Sequence, residues 1–182
     1  MKVTKTPIEG LLIIEPRVFP DDRGYFYESY NQQKYIEAGI NVNFVQDNQS
    51  SSSKGTLRGL HAQAPPYGQD KLVRVIKGSV IDVAVDIRKG SPTYGQYLKI
   101  KLSAQNNLQL WIPQGFLHGF FALEDDSIFA YKITNFYDKA SEIGVKITDP
   151  ELGIDWGFPI SDITLSPKDE ALPDFKSFVS PF

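Results

Sequence analysis

Cysteine is absent from the 182 residues, which removes disulfides, thiolate nucleophiles and cysteine metal sites from consideration. No run approaches the ~20 apolar residues of a membrane-spanning helix. The opening MKVTKTPIEG has no apolar core of the kind a secretory leader carries, so the expectation is a cytoplasmic protein. Excess positive charge is missing too. Lys and Arg number 19 against 22 Asp and Glu, a formal −3, which argues against a general nucleic-acid or membrane-surface binder. An anionic small ligand is still open, because a local basic cluster is enough for one. The Walker A pattern, the G-x-S-x-G elbow and the G-x-G-x-x-G fingerprint do not occur. Nucleotide hydrolysis, serine-esterase chemistry and Rossmann dinucleotide binding lose support accordingly.

What is present is ordinary in balance, 41% hydrophobic and 23% charged. A domain usually takes roughly 100–200 residues, so a single domain over residues 1–182 is expected. Twelve Phe, nine Tyr and two Trp favour strands and ligand-facing walls over a helical bundle. Val3 to Glu15 reads as two short strands around Gly10, and a Pro-Asp-Asp turn leads into alternation from Tyr25 to Tyr30. Asn31 to Ala38 is the best helix, with Asn31 as N-cap and Gly39 as its stop. VNFVQDNQSSSSKG reads as a strand running into a mobile Ser-rich loop. Gly78 reads as a hairpin turn before SVIDVAVDI, where Ile81, Val83, Val85 and Ile87 share one face and Asp82, Ala84 and Asp86 the other. YLKIKLS, NLQLWIP, GFLHGFFAL and SIFAYKITNFY continue the run of short strands, and beyond Tyr137 the chain becomes loop-rich. The pattern predicts an all-β antiparallel sandwich or barrel with few short helices, in the form of a jelly roll.

The densest chemistry lies between Thr56 and Val75, TLRGLHAQAPPYGQDKLVRV, which gathers Arg58, His61, Gln63 and Lys71. Cationic neighbours push a histidine towards the neutral form that a general base needs near pH 7. The mixture suggests a base acting on a negatively charged substrate. Alternation alone would set Arg58 and His61 on opposite faces, and a bulge at Gly59 would let both face one cavity. Taken by itself, His61 reads equally as a packed histidine, as does His118 between the glycines of PQGFLHGF. The histidines stand 57 positions apart, in neither an H-x-H nor an H-x-x-x-H pair, so no metal is expected. Spacing alone assigns no role to Tyr131, in a strand, or to Asp169, in a polar C-terminal segment.

The motifs RGLHAQ, QDKLVRVIKGSVIDVAVDIRKGSPTYG and WIPQGFLHGF resemble the dTDP-4-dehydrorhamnose 3,5-epimerases (RmlC) of the cupin jelly-roll superfamily. FPDDRGYFYESY, QDNQSSSSKGTLRGLH, YKITNFY, DPELGIDW and LSPKDEALP extend the likeness in order along nearly the whole chain. The resemblance implies an enzyme free of cofactor and metal that inverts C3 and C5 of dTDP-4-keto-6-deoxy-D-glucose, giving dTDP-4-keto-L-rhamnose. By motif position it implies His61 as base, Asp169 as the carboxylate orienting it, Tyr131 as acid from the other face, and Lys71 against the C4 oxygen. For the nucleotide half it implies Arg23, Glu28, Gln46, Asp47, Asn48, Arg58, His118, Glu142 and Lys168. Phe19, Phe26 and Phe136 are its candidates to stack on thymine. It also implies a homodimer that exchanges N-terminal strands, and a segment 138–182 that closes the site.

Three departures from the family pattern stand out. Ala62 follows the base where an aromatic is usual, Phe136 stands where many members have a tyrosine, and Gly157-Phe158-Pro159 follows Trp156 in place of a directly adjoining proline. Alternation points Ala62 away from the His61 face. Other readings compatible with the residues are an epimerase acting only at C3 or only at C5, a jelly-roll module that binds a sugar or nucleotide without turning it over, and a metal-dependent cupin oxygenase.

Overall fold

The computed structural model describes the backbone of residues 1–182 and every side chain except that of residue 160. The chain begins with β1 (Lys2–Lys5) and β2 (Leu12–Glu15), followed by a hairpin of β3 (Phe19–Asp21) and β4 (Gly24–Phe26). Helix α1 (Gln32–Glu37) comes next. As expected, Asn31 caps it, its side-chain oxygen accepting from the Lys34 N–H at 3.2 Å, and Gly39 follows its end at φ +89°. The strands β5 (Gln46–Ser52), β6 (Leu57–Gln63), β7 (Lys71–Lys77), β8 (Ser79–Asp86) and β9 (Tyr97–Ser103) follow. Then come β10 (Gln109–Ile112), β11 (Phe116–Ala122), β12 (Ser127–Ile133), β13 (Glu142–Gly144) and the four-residue helix α2 (Pro167–Glu170).

One sheet has the order β1-β2-β10-β7-β12-β5 and the other β13-β6-β11-β8-β9, with antiparallel neighbours throughout. This is the expected jelly roll. Val73, Val75, Leu110 and Phe129 of the first sheet meet Val80, Ala84, Leu102, Phe116 and Phe120 of the second. The five-stranded sheet is buried on its outer face as well. There Val83, Val85, Leu117 and Phe121 pack under Val145, Ile147, Leu152, Trp156 and Phe175 of the C-terminal segment. Both faces of β8 are therefore covered, which is why its apolar residues run on with little interruption. Ala62 faces this outer core, as alternation requires.

Four local expectations are corrected. Gly78 is not a hairpin turn, because β7 and β8 belong to different sheets. It is a corner at φ +76°, where a Cβ would lie 2.5 Å from the Ser127 hydroxyl. The serine tract is not a loop. Ser50, Ser51 and Ser52 lie in β5, which pairs with β12 along its whole length from Ser52↔Ser127 to Gln46↔Ile133. Residues 42–45, expected as strand, are irregular, and regular strand after the Pro-Asp-Asp turn stops at Phe26 instead of running to Tyr30. In β5 the period-2 signal is present in burial, half-buried Gln46, Asn48 and Ser50 alternating with exposed Asp47, Gln49 and Ser51. It is hidden in hydropathy because both sets are polar, and tertiary pairing overrides their weak strand preference.

The feature that sets up the site is a bulge between β6 and β11. His61 pairs with His118 and Arg58 with Phe120, so Gly59 and Leu60 together oppose Gly119. Gly59 adopts φ +133°, and a Cβ on it would stand 2.6 Å from the Gly119 Cα. The extra residue turns Arg58 and His61 into one cavity, as the position of Gly59 suggested. We expect Gly59→Ala to cost at least about 2 kcal/mol in urea denaturation, from the positive φ and the backbone collision together. Its loss of activity should exceed what the unfolded fraction accounts for.

Candidate active site

The two sheets part where β6 faces β5 and β12, and the opening holds a cleft with two lobes. The larger, of about 540 Å³, is lined by Arg58, His61, Lys71, His118, Tyr131 and Asp169 among others. The smaller, of about 360 Å³, is lined by Gln46, Asn48, Gln63, Gln69, Tyr137 and Glu142 together with His61, Lys71 and Tyr131. The last three residues line both lobes and mark the waist. His61 comes from the five-stranded sheet and Tyr131 from the six-stranded one, so they reach the waist from opposite walls.

His61 Nε2 lies 2.6 Å from Asp169 Oδ1, a contact across 108 residues of sequence. A carboxylate can only accept, so Nε2 carries the hydrogen and Nδ1 keeps a free lone pair. Asp169 is placed by local chemistry. Ser166 caps α2, its hydroxyl accepting from the Asp169 N–H at 3.2 Å, and Pro167 occupies the first turn, where a missing N–H costs nothing. Thr164, just upstream, is tied to the end of β6, with Leu57 N–H donating to Thr164 O at 3.0 Å and Thr164 N–H to Gly55 O at 2.8 Å.

Burial pushes the His61 imidazole below its ordinary 6.5, against the opposing charges of Asp169 and Glu142. The neutral form is favoured as the sequence suggested, but the cause is desolvation and not the charges of Arg58 and Lys71. Burial also holds the Tyr131 phenol above 10, with Arg58 opposing. It brings the Lys71 ammonium down to about 8, with Asp82 and Glu142 opposing. A neutral base, a protonated phenol and a poised ammonium thus meet at one waist near pH 7.

Further along the cleft, Arg58 donates from Nε to Ser52 Oγ at 3.1 Å and from its terminal nitrogen to Ser51 O at 3.2 Å. Lys168 donates to Glu142 Oε1 at 2.5 Å, and Tyr137 to Glu142 Oε2 at 2.8 Å. Burial raises the Glu142 carboxyl, but these two bonds outweigh it and hold the group below 4.5. Gln46 donates to Asn48 at 2.8 Å inside the smaller lobe, whereas Asp47 takes Lys132 at 2.9 Å and lines a different hollow around Arg74 and Gln109. Phe19, Arg23, Phe26 and Glu28 line neither lobe. Arg23 pairs with Asp21 at 2.6 Å, Glu28 pairs with Lys34, and the rings of Phe19 and Phe26 face each other across β3–β4 at 6.5 Å. Phe136 lines neither lobe and is 63% exposed.

The sequence reading missed Asp82 and Ser50. Fully buried Asp82 accepts from His118 Nε2 at 2.9 Å and 3.1 Å, forming a second histidine–aspartate pair of which His118 lines the larger lobe. An aspartate at a covered position of so apolar a strand was the available signal, since a buried polar group needs a hydrogen-bond partner. Ser50 Oγ is buried without a hydrogen-bond partner among the described residues and lies in the wall of the larger lobe, where a ligand could satisfy it. Among the described residues no group of three or more His, Asp or Glu stands close enough to hold a metal ion.

A family model described as dTDP-4-dehydrorhamnose 3,5-epimerase matches residues 5–177. A protein of that name from Shigella flexneri is 54% identical over 170 residues, 93% of this chain and 93% of its own. The crystal structure of dTDP-4-dehydrorhamnose 3,5-epimerase from Elizabethkingia anophelis superposes with a TM-score of 0.92 at 52% identity, covering 97% of each chain. An RmlC epimerase from Legionella pneumophila, crystallised with dTDP-4-keto-L-rhamnose, gives 0.93 at 48% identity over 98% of this chain and 94% of its own. Alike in sequence and fold along almost its whole length, the chain belongs to the dTDP-4-dehydrorhamnose 3,5-epimerase family.

Proposed function

We propose that this protein epimerises dTDP-4-keto-6-deoxy-D-glucose at C3 and C5, giving dTDP-4-keto-L-rhamnose for the synthesis of dTDP-L-rhamnose. The observation that carries the reading is the waist, where His61 of the five-stranded sheet and Lys71 and Tyr131 of the six-stranded sheet line the same two lobes. A proton beside a ketone leaves only when the enolate it creates is stabilised. His61 Nδ1 takes the proton from one face of the ring, while Asp169 fixes the tautomer and stabilises the imidazolium. The Lys71 ammonium meets the C4 oxygen, and its hydrogen bond strengthens as negative charge gathers there. Tyr131 returns a proton from the other face, inverting the carbon.

Arg58 and Lys168 meet the diphosphate, for which a planar guanidinium suits two oxygens at once. Gln46, Asn48 and His118 hold the remainder of the nucleotide sugar, and residues 138–182 close the cleft by bringing Glu142, Lys168 and Asp169 to it. The active form is a cytoplasmic homodimer in which the N-terminal strands of a second copy bring Phe19, Arg23, Phe26 and Glu28 to the cleft. Exposure of Phe19, Tyr25 and Phe26 on the hairpin supports that arrangement.

In heavy water, deuterium should appear at both C3 and C5 of the sugar, by NMR of the product. Label at a single carbon would make the chain a mono-epimerase, and none at all would leave a binding module. His61→Ala and Tyr131→Phe should each bind dTDP as the parent does in calorimetry, with exchange reduced about 10²–10⁴-fold. The pH profile of kcat/KM should be a bell. It rises through a value below 6.5 as His61 becomes neutral and falls through about 8 as Lys71 loses its charge. Lys71→Arg, which cannot deprotonate in this range, should lower the plateau and abolish the alkaline fall.

A further inference from the structure

Each proton exchange of the kind proposed leaves His61 with one proton too many and Tyr131 with one too few. If two carbons of one sugar are inverted, the base has to be emptied while the sugar still occupies the cleft and lies against the imidazole. Nε2 offers no exit, because it is held at 2.6 Å by an Asp169 carboxylate only 6% exposed. The remaining nitrogen, Nδ1, faces Glu142, whose Oε1 is 4.0 Å away. The other oxygen of Glu142 accepts from the Tyr137 hydroxyl at 2.8 Å, and Tyr137 is 54% exposed. With a sugar lying over the partly exposed imidazole, these two side chains lead from Nδ1 to solvent, at the end of the cleft away from Arg58.

Glu142 is otherwise hard to place. The family resemblance puts it among the nucleotide contacts, yet a carboxylate repels a diphosphate, and here Lys168 already neutralises it. We propose that Glu142 empties the base, accepting the proton from His61 Nδ1 after each abstraction and releasing it to water at the Tyr137 end of the smaller lobe. The inference rests on His61 being the base. The sugar C–H bond breaks as an N–H bond forms at Nδ1. That N–H bond then breaks as an O–H bond forms on Glu142, which gives its proton to water and is a carboxylate again. Water in the larger lobe reprotonates the Tyr131 phenolate, and no electrons are exchanged with any other group. Shortening 4.0 Å to a hydrogen bond takes about 1 Å of side-chain movement. Glu142 acts through His61, as a positioning and relay residue, without touching the reacting carbon.

The test is Glu142→Gln in the full-length enzyme, which keeps the shape and the hydroxyl contact but cannot take a proton. With substrate deuterated at C5, single-turnover quench should show the first C–D cleavage within about twofold of the parent, while steady-state kcat falls at least about tenfold. Added imidazole or formate should restore kcat in a concentration-dependent way in the variant and leave the parent unchanged. Tyr137→Phe should show a smaller fall with the same rescue, and supplies the test if Glu142→Gln folds poorly. An unchanged kcat, a first cleavage slowed as much as kcat, or a fall that no buffer relieves would each overturn the relay. Failure of the parent itself to exchange, or exchange that survives His61→Ala, overturns the proposed function instead.

Discussion

The 2.6 Å hydrogen bond between His61 and Asp169 is the contact on which the architecture converges. It joins a strand of the five-stranded sheet to a helix of four residues, too short to be stable by itself. That helix exists where it does because Ser166 caps it and Thr164 is stitched to Gly55 and Leu57. The outer core around Val145, Trp156 and Phe175 presses the whole C-terminal segment onto the sheet. Removing that apolar layer would leave His61 in place and take away its partner. The outer core is thus part of the site's construction, although none of those three residues lines the larger lobe.

Desolvation does most of the electrostatic tuning at the waist. It acts on His61, Lys71 and Tyr131 in the directions their proposed roles require, because burial always disfavours the charged form. Imidazole and ammonium are pushed down and the phenol is pushed up. One common cause thus leaves the base neutral and the acid protonated at the same pH, with no dedicated charge needed for either. Carboxylates then act as a correction. Asp169 and Glu142 keep the imidazole from falling further, and Asp82 and Glu142 do the same for Lys71.

Much of the fold was legible in the sequence, for reasons that differ by element. Alternation in SVIDVAVDI and the Asn31 cap are local signals, and both are found as read. The strand β5 was not legible, because a strand lining a ligand cleft is polar on the face that would otherwise be apolar, and its Ser-rich composition imitates a loop. Gly78 misled in a related way. A glycine at positive φ marks a sharp change of direction, but whether the chain returns in the same sheet or crosses to the other depends on tertiary packing. At the site, the bulge at Gly59 followed from requiring Arg58 and His61 to share a cavity. The pairing of His61 with a residue 108 positions away had no local signal, and came only from likeness to a family.

A division runs through the candidate site residues. His61, Lys71, Tyr131 and Asp169 are brought together by contacts within one chain, whereas Phe19, Arg23, Phe26 and Glu28 sit on or beside a ribbon outside both main sheets. A two-stranded ribbon is marginal alone in water. This one leaves Phe19 at 46%, Tyr25 at 57% and Phe26 at 66% exposure, an apolar surface with no packing partner of its own in the chain's core clusters. In the proposed homodimer the second copy would supply that partner. Chemistry built within a chain and nucleotide contacts shared between copies would make turnover depend on association, while leaving the proton-transfer geometry intact in each protomer.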